Sequence, residues 1–259
     1  AAPGGTLAAV GAFLLWGLFP LYWAQIATVP AIEIIWHRIL WGGVLAWIIV
    51  AAGRRYGAHR RSRDRKQCGT DGSGGSTAVP LFPARSVARL LLLNGVLLGG
   101  NWLVYVWAVS SGRTLDASLG YYINPLVSVV FGMIFFGERL VPLQWVAVAS
   151  ATTGVLYMTF QLGYFPWVSV TLAGTFGLYG VIKKKTTLSS IHGLAVELTP
   201  VMVVAAALVS HGVLTGTGRF LAGDAVTTAY LLGASVVTVA PLLLFGIAAR
   251  RIRLADVGF

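Results

Sequence analysis

Asn101-Trp-Leu-Val-Tyr105-Val-Trp-Ala-Val-Ser-Ser-Gly-Arg113-Thr-Leu-Asp116-Ala-Ser-Leu-Gly120-Tyr121-Tyr-Ile-Asn124-Pro125-Leu-Val-Ser128 decides how the chain is to be read. Two apolar segments are joined by a very short polar turn, and two asparagines and a proline lie at depths where a plain membrane anchor carries only Leu, Val and Ile. A weaker copy follows late in the chain. Arg113, Asp116, Gly120 and Tyr121 recur in order as Arg253, Asp256, Gly258 and Phe259, each set after an apolar helix-length segment. Internal repetition of a membrane segment is a clue to the whole fold.

Working outward, hydrophobic residues make up 57% of the 259 residues and charged ones only 10%. A span needs about 20 mostly apolar residues. The expected fold is therefore all-α, a polytopic transmembrane bundle with spans at 7–26, 31–52, 87–110, 117–136, 143–160, 167–182, 194–210 and 226–249. Between the second and third, 53–85 is Arg-rich at its front and Gly/Ser-rich in its middle, a composition expected to give a flexible basic cytoplasmic loop. The chain starts without methionine and stops at Phe259 just as a new apolar segment begins, the pattern of an excerpt truncated at its C-terminal end.

The net charge of +11 raises the question of nucleic acid. Its distribution answers it, because alternate connections carry nearly all of the cations: Arg54 to Arg89, Arg139, Lys183 to Lys185, and Arg250 to Arg253. The opposite connections carry only Arg113 and Arg219. By the positive-inside rule the N-terminus is cytoplasmic, and the basic character reports topology in a lipid bilayer, with no nucleic-acid partner. The lone Cys68 cannot form an intrachain disulfide. His37, His59, His192 and His211 are scattered, and no nucleophile–base or metal-ligand pattern accompanies them, so no catalytic residue, metal or cofactor is expected and the chain is read as a non-enzyme.

The polar residues inside the spans are the candidates for function. Glu33 and His37 are one helical turn apart and can pair, and Arg38 lies about 10 Å into the membrane by helical rise, facing the bundle interior. Asn94, Asn101, Tyr105 and Ala108 share a face of the third span, with Gly95 and Gly99 as a small-residue contact patch. Ser118, Tyr121, Pro125, Ser128 and Gly132 form a second stripe, flanked by Asn124. These stripes either wall a wet cavity or bond helix to helix.

Phe13 to Gly17 has a counterpart in Phe176 to Gly180, and the ionisable Arg38 is echoed by Glu197. Five spans precede Gly163, an odd number, so corresponding helices run in opposite senses and the halves form an inverted pair. Arg38 and Glu197 are then candidates to meet near the pseudo-symmetry axis.

Leu15-Trp16-Gly17-Leu-Phe-Pro20, Glu33-Ile-Ile-Trp-His37-Arg38, Asn101-Trp-Leu-Val-Tyr105-Val-Trp-Ala, Ala117-Ser-Leu-Gly120-Tyr-Tyr-Ile-Asn124-Pro125-Leu, Gly137-Glu138-Arg139, and Gly177-Leu-Tyr-Gly180 with Lys183-Lys184 together resemble the drug/metabolite transporter superfamily, within it the EamA-type, RarD-like permeases. The resemblance implies ten spans in an inverted repeat of two five-helix units, here 6–160 and an incomplete 166–259, so that eight full spans of ten are present. It also implies cytoplasmic termini, a bacterial inner-membrane location, and a central cavity between the halves.

On this reading the protein moves a small metabolite or drug-like molecule by alternating access, as an exporter. Its substrate-binding residues are Arg38, His37, Asn101, Tyr105, Tyr121, Asn124 and Glu197. Arg38 binds a carboxylate or balances Glu197, and Glu197 or Glu33 carries a proton if transport is proton-coupled. The competing reading is a non-transporting membrane regulatory or assembly protein, whose polar residues serve helix contacts alone. No motif fixes an oligomeric state.

Overall fold

The computed structural model describes residues 3–68, 84–186, 188–222 and 224–258, and every element among them is helical. The helices are α1 (Pro3–Trp23), α2 (Ala31–Cys68), α3 (Arg85–Ser110), α4 (Thr114–Phe136), α5 (Pro142–Leu162), α6 (Trp167–Lys185), α7 (Ser190–Leu214), α8 (Ala225–Arg251) and the short α9 (Leu254–Gly258). Punctuation in the sequence sets several of their ends. Gly137 and Gly163 close α4 and α5 at φ 62° and 72°, the left-handed conformation that glycine adopts without strain. Ser189 and Asp224 open α7 and α8 by accepting the backbone N–H of His192 and Thr227.

Six helices are long and apolar enough to cross a membrane by length and composition: Gly4–Ile26, Ala31–Tyr56, Arg85–Ser110, Thr114–Phe136, Ser190–Leu214 and Ala225–Arg251. The eight expected spans all coincide with long helices, but α5 and α6 fall outside this set. The reason is chemical: α6 has 19 residues and ends in three lysines, and α5 carries glutamines, threonines and a serine along its length.

A second difference concerns the basic loop. Helix α2 continues to Cys68, so 53–68 is helical where a flexible linker was expected. Arginine, lysine and glutamine are good helix formers, and extending a nucleated helix costs far less than starting one, so no core is required. The Gly/Ser-rich remainder, 69–83, lies outside the described residues.

Helix α2 packs against α7 and α8, α1 against α8, α3 against α6 and α7, and α4 against α5, α6 and α9. Small side chains permit these contacts. Ala8, Ala9 and Ala12 of α1 share a buried cluster with Ala248 and Ala249 of α8, over which Trp16, Phe176, Tyr179 and Phe245 interlock. Tight approach of this kind is how helices gain packing energy where lipid removes the hydrophobic driving force between them. The closest crossing is α3 on α7, where a Cβ on Gly95 would overlap the backbone oxygen of Glu197.

The outer surface is apolar. Leu7, Leu14, Leu21, Leu143, Phe160 and Leu214 are all exposed, a distribution untenable in water and natural against lipid tails. No residue of α5 is buried, so that helix lies at the bundle's periphery.

Candidate functional site

Arg38 sits on α2 with its guanidinium among three aromatic rings from two other helices. Its central carbon lies 5.1 Å from the Trp23 ring, 5.2 Å from Trp102 and 5.6 Å from Phe19. Its Nε donates to the Thr238 hydroxyl of α8 at 3.2 Å. Among the described residues it forms no ion pair with a carboxylate. A cation at membrane depth costs about 2.5–3.5 kcal/mol on insertion scales, and each ring face returns about 0.5–2 kcal/mol. The rings thus hold Arg38 charged inside the bundle while leaving its terminal Nη donors unspent.

Its neighbour His37 turns another way. His37 is buried, accepts a hydrogen bond from Trp41 Nε1 at Nδ1 (2.9 Å), and lies against Phe220. Its Nε2 is 4.0 Å from Glu33, the expected one-turn pair. Glu33 in turn accepts the backbone N–H groups of Arg219 (2.6 Å) and Phe220 (3.3 Å), tying the start of α2 to the α7–α8 connection. A cavity of about 250 Å³ lies here, lined by Glu33, Trp36, His37, His211, Thr217 and Phe220 among others. His37 therefore belongs to this end cavity, apart from the ring cage of Arg38.

Glu197 does not meet Arg38. It is fully buried and pairs with Lys183 of α6 at 2.7 Å, while Asn94 of α3 donates to its other oxygen at 3.0 Å. The expectation of an Arg38–Glu197 pair fails because the preceding helix delivers a cation first: Lys183 lies two residues before the end of α6, across the short turn from α7. Sequence reading assigned Lys183 to Lys185 to cytoplasmic topology as a block. Packing instead buries Lys183, with its Nζ 5.5 Å from the Tyr179 ring, and leaves its neighbours nearer the surface.

Of the remaining candidates, Asn101 spends its amide on α6, donating to the Leu172 carbonyl (2.9 Å) and the Thr175 hydroxyl (2.8 Å), so it bonds helix to helix. Tyr105 and Tyr121 meet edge to face at 5.9 Å, and Tyr105 packs with Trp102 against Ile35 and Ile39 of α2, the helix that carries Arg38. Asn124 keeps a buried Oδ1 with no hydrogen-bond donor among the described residues. The structure thus gathers Arg38, Tyr105 and Tyr121, adds Thr238, Trp23, Phe19 and Trp102, and assigns His37, Asn101 and Glu197 to contacts of their own. Trp23, Phe19, Trp102 and Thr238 are ordinary membrane-helix residues by type, and the sequence carried no signal that they would meet at Arg38.

The two copies of the Arg-x-x-Asp motif build similar local geometry at the starts of α4 and α9. Arg113 Nε donates to the buried Asp116 at 3.0 Å, as Arg253 Nε does to Asp256 at 2.9 Å. Around the first gather Tyr164, whose hydroxyl donates to Asp116 (2.8 Å), and Ser169, which donates to its backbone carbonyl (2.6 Å). Around the second, Gln144 donates to Asp256 and Arg253 to the Arg139 carbonyl, both at 3.0 Å. Beside it Glu138 accepts from Lys184 Nζ (2.5 Å) and from the N–H groups of Leu254 and Ala255 (2.8 Å each). Burial opposes the Glu138 charge, but these bonds from Lys184, Ala255 and Leu254 outweigh it and hold the carboxyl below its ordinary range. Among the described residues no cluster of three His, Cys, Asp or Glu gathers that could hold a metal ion.

Comparison with known proteins places this architecture. The model of the EamA-like transporter family matches residues 3–160. The chain is 40% identical to the uncharacterized transporter YojE of Bacillus subtilis, over 98% of this chain and 79% of that protein. It is 38% identical to an uncharacterized transporter of Pseudomonas aeruginosa (98% and 79%) and 36% identical to protein RarD of Salmonella typhimurium (98% and 80%). A solved crystal structure at 18% identity superposes with a TM-score of 0.66, covering 100% of this chain and 83% of the other, and so shares its fold. The six membrane-length helices and these bacterial relatives make it an integral membrane protein, and the chain belongs to the EamA-like transporter family, within its RarD-like permeases.

Proposed function

We propose that this permease exports a small, partly polar metabolite or drug-like molecule across the bacterial inner membrane by alternating access, with its N-terminus cytoplasmic. Two inverted five-helix units, 6–160 and the incomplete 166–259, would supply eight full spans and the start of a ninth.

The observation that carries the reading is the pattern of helix partners. Exchange α1 with α6, α2 with α7, α3 with α8 and α4 with α9, and four of the five most extensive helix contacts map onto contacts that are also made, while α4–α6 has no α9–α1 counterpart of similar extent among the described residues. The pair α2–α7 returns to itself, as does α4–α9; α1–α8 becomes α6–α3, and α2–α8 becomes α7–α3. Trp16 and Tyr179, matched by the sequence repeat, enter one aromatic core from the two units. If every long helix spans, three spans precede the motif at Arg113 and eight precede that at Arg253, which would put the two on opposite sides, as an inverted repeat requires. Contacts made across the two units are what a rocking motion would break and remake.

In this scheme Arg38, Tyr105 and Tyr121 contact the substrate, and Asn124 offers its unspent oxygen. His37, Asn101 and Glu197 support the site from the helix contacts described above. If transport is proton-coupled, Glu33 and Glu197 are the carboxylates placed to take part. The cross-unit contacts of Glu138 with Lys184 and α9 serve as an inner clasp.

The test compares metabolites in the medium of cells producing the full-length protein, its Arg38→Ala variant, or an empty vector. A compound enriched outside only with the unaltered protein supports export. Equal media, with the protein shown to be folded in the membrane, would turn the reading toward import or toward a regulatory role without transport.

A further inference from the structure

The chemistry around Arg38 narrows the substrate. We propose that Arg38 holds the carboxylate of a small organic monoanion whose flat apolar body lies against the surrounding rings. This rests on the permease reading above and adds a ligand class to it.

The argument begins with how the guanidinium is used. Rings attract a cation through their faces, leaving the in-plane N–H donors of the guanidinium free to bond. Trp23, Trp102 and Phe19 supply the ring contacts, and Thr238 takes Nε. The Nη groups have no acceptor among the described residues, and a carboxylate is the partner that the planar fork fits in bidentate fashion. Lysine would present a single point charge, without this geometry.

Charge balance points the same way. Lys183, Lys184, Arg113 and Arg253 each reach a carboxylate of this chain, so their charges are matched before any ligand arrives. Arg38 lost its one expected counter-charge when Glu197 took Lys183. A ligand with one negative charge completes the site, whereas a second negative charge would enter the bundle uncompensated.

The rest of the ligand is read from the walls. Trp23 and Trp102 flank the guanidinium, and Tyr105, which packs beside Trp102 in the same cluster on α2, meets Tyr121 edge to face. Aromatic faces and edges favour a flat apolar body over a polyhydroxylated one. An inorganic anion would satisfy the fork and leave these walls unused.

The experiment uses the full-length protein in lipid nanodiscs and reads binding by tryptophan fluorescence and by thermal shift. The probes share one flat body: benzoate, benzamide, benzylamine and the dianion phthalate, with chloride as the inorganic control. Benzoate is expected to bind at least about tenfold more tightly than benzamide, with benzylamine, phthalate and chloride weaker still. Arg38→Gln should remove the preference for benzoate over benzamide, and Arg38→Lys should restore part of it. The ranking on the unaltered protein needs no variant, so it stands even if a substitution fails to fold. Equal or better binding of the amide, the amine, the dianion or chloride overturns the anion class, and so does a panel in which nothing binds. Either of those outcomes together with a compound exported in the cell experiment leaves the permease reading standing; benzoate binding without export of any compound removes the permease reading and keeps the anion site.

Discussion

Arg38 and Glu197 occupy matching positions, each seven residues beyond the first residue of its helix, Ala31 or Ser190. Each meets a side chain of another helix, Arg38 donating to Thr238 on α8 and Glu197 accepting from Asn94 on α3. They differ in what balances the charge. Glu197 meets Lys183 at 2.7 Å in a site closed to solvent, whereas among the described residues Arg38 meets ring faces and a hydroxyl but no carboxylate. A buried charge with its counter-charge serves structure, and a partly buried charge with no carboxylate partner among the described residues is the candidate for binding proposed above. This difference teaches which polar residues of a membrane bundle to test for transport and which for folding.

The comparison predicts opposite outcomes at its two ends. Lys183→Met leaves the Glu197 carboxylate buried and unpaired, which should cost about 3–5 kcal/mol of stability. Denaturation of the purified protein in nanodiscs checks this, and adding Glu197→Leu should recover most of the loss, because two apolar side chains leave no charge behind. A single substitution costing less than about 1 kcal/mol would end the claim that the pair is structural.

Arg38→Met should do the reverse. No carboxylate is orphaned by it, and relief of the cation's burial cost offsets the lost ring contacts and the charge-assisted bond to Thr238, so stability should hold within about 1 kcal/mol. Substrate transport should fall about 10- to 100-fold, the worth of a charge-assisted contact at roughly 1.5–3 kcal/mol. Transport assays in proteoliposomes beside melting curves separate the two effects. Loss of folding with this variant would make the two ends alike and break the comparison.

Between these ends, Gly95→Ala probes how the Glu197 site is built. The new Cβ would overlap a backbone oxygen of α7, which cannot swing aside as a side chain can. The helices must separate, at a cost of about 1–3 kcal/mol, and the Asn94 bond to Glu197 should lengthen with them. Gly99→Ala meets only the Val201 side chain and should cost less. Equal melting temperatures for the two variants would show that the α3–α7 crossing is looser than its geometry implies.

Much of this was legible in the sequence, and the boundary is physical. Apolar length marks a span whatever it packs against, so the long helices were readable from composition, as were Gly95 and Gly99 as a contact patch. Which way a polar side chain turns depends on neighbours far away in the chain. Lys183 is a fair example: three lysines at a helix end signal topology, yet the isolated acid Glu197 demands a cation, and Lys183 is the one within reach across the turn. Asn101 had two open readings, and only the α6 carbonyl and Thr175 hydroxyl beside it decide between them. The helical extension to Cys68 escaped notice because a charged segment was judged by its inability to form a core, a demand that a continuing helix does not make.

The smallest effect concerns the clasp proposed at Glu138, a carboxylate matched as fully as Glu197 but near the surface. Glu138 accepts the backbone N–H groups of Leu254 and Ala255, so hydrogen exchange at those two amides reads the clasp directly. The net effect of its bonds is to hold the Glu138 carboxyl below the ordinary glutamate range, despite its burial. A depressed carboxyl stabilises the folded form fully at pH above its unfolded value and loses that contribution as pH falls through the folded one. Protection of the two amides, corrected for intrinsic exchange, should therefore stay flat from about pH 8 to 6 and weaken only at pH below the ordinary glutamate range. Glu138→Gln should lower protection at neutral pH by about 1 kcal/mol, the difference between a charged and a neutral acceptor, and should remove the acid-side loss. Unchanged exchange in that variant would mean that α9 is held by its apolar contacts with α4, and that the clasp, unlike the Lys183–Glu197 pair, contributes nothing to closing this end of the bundle.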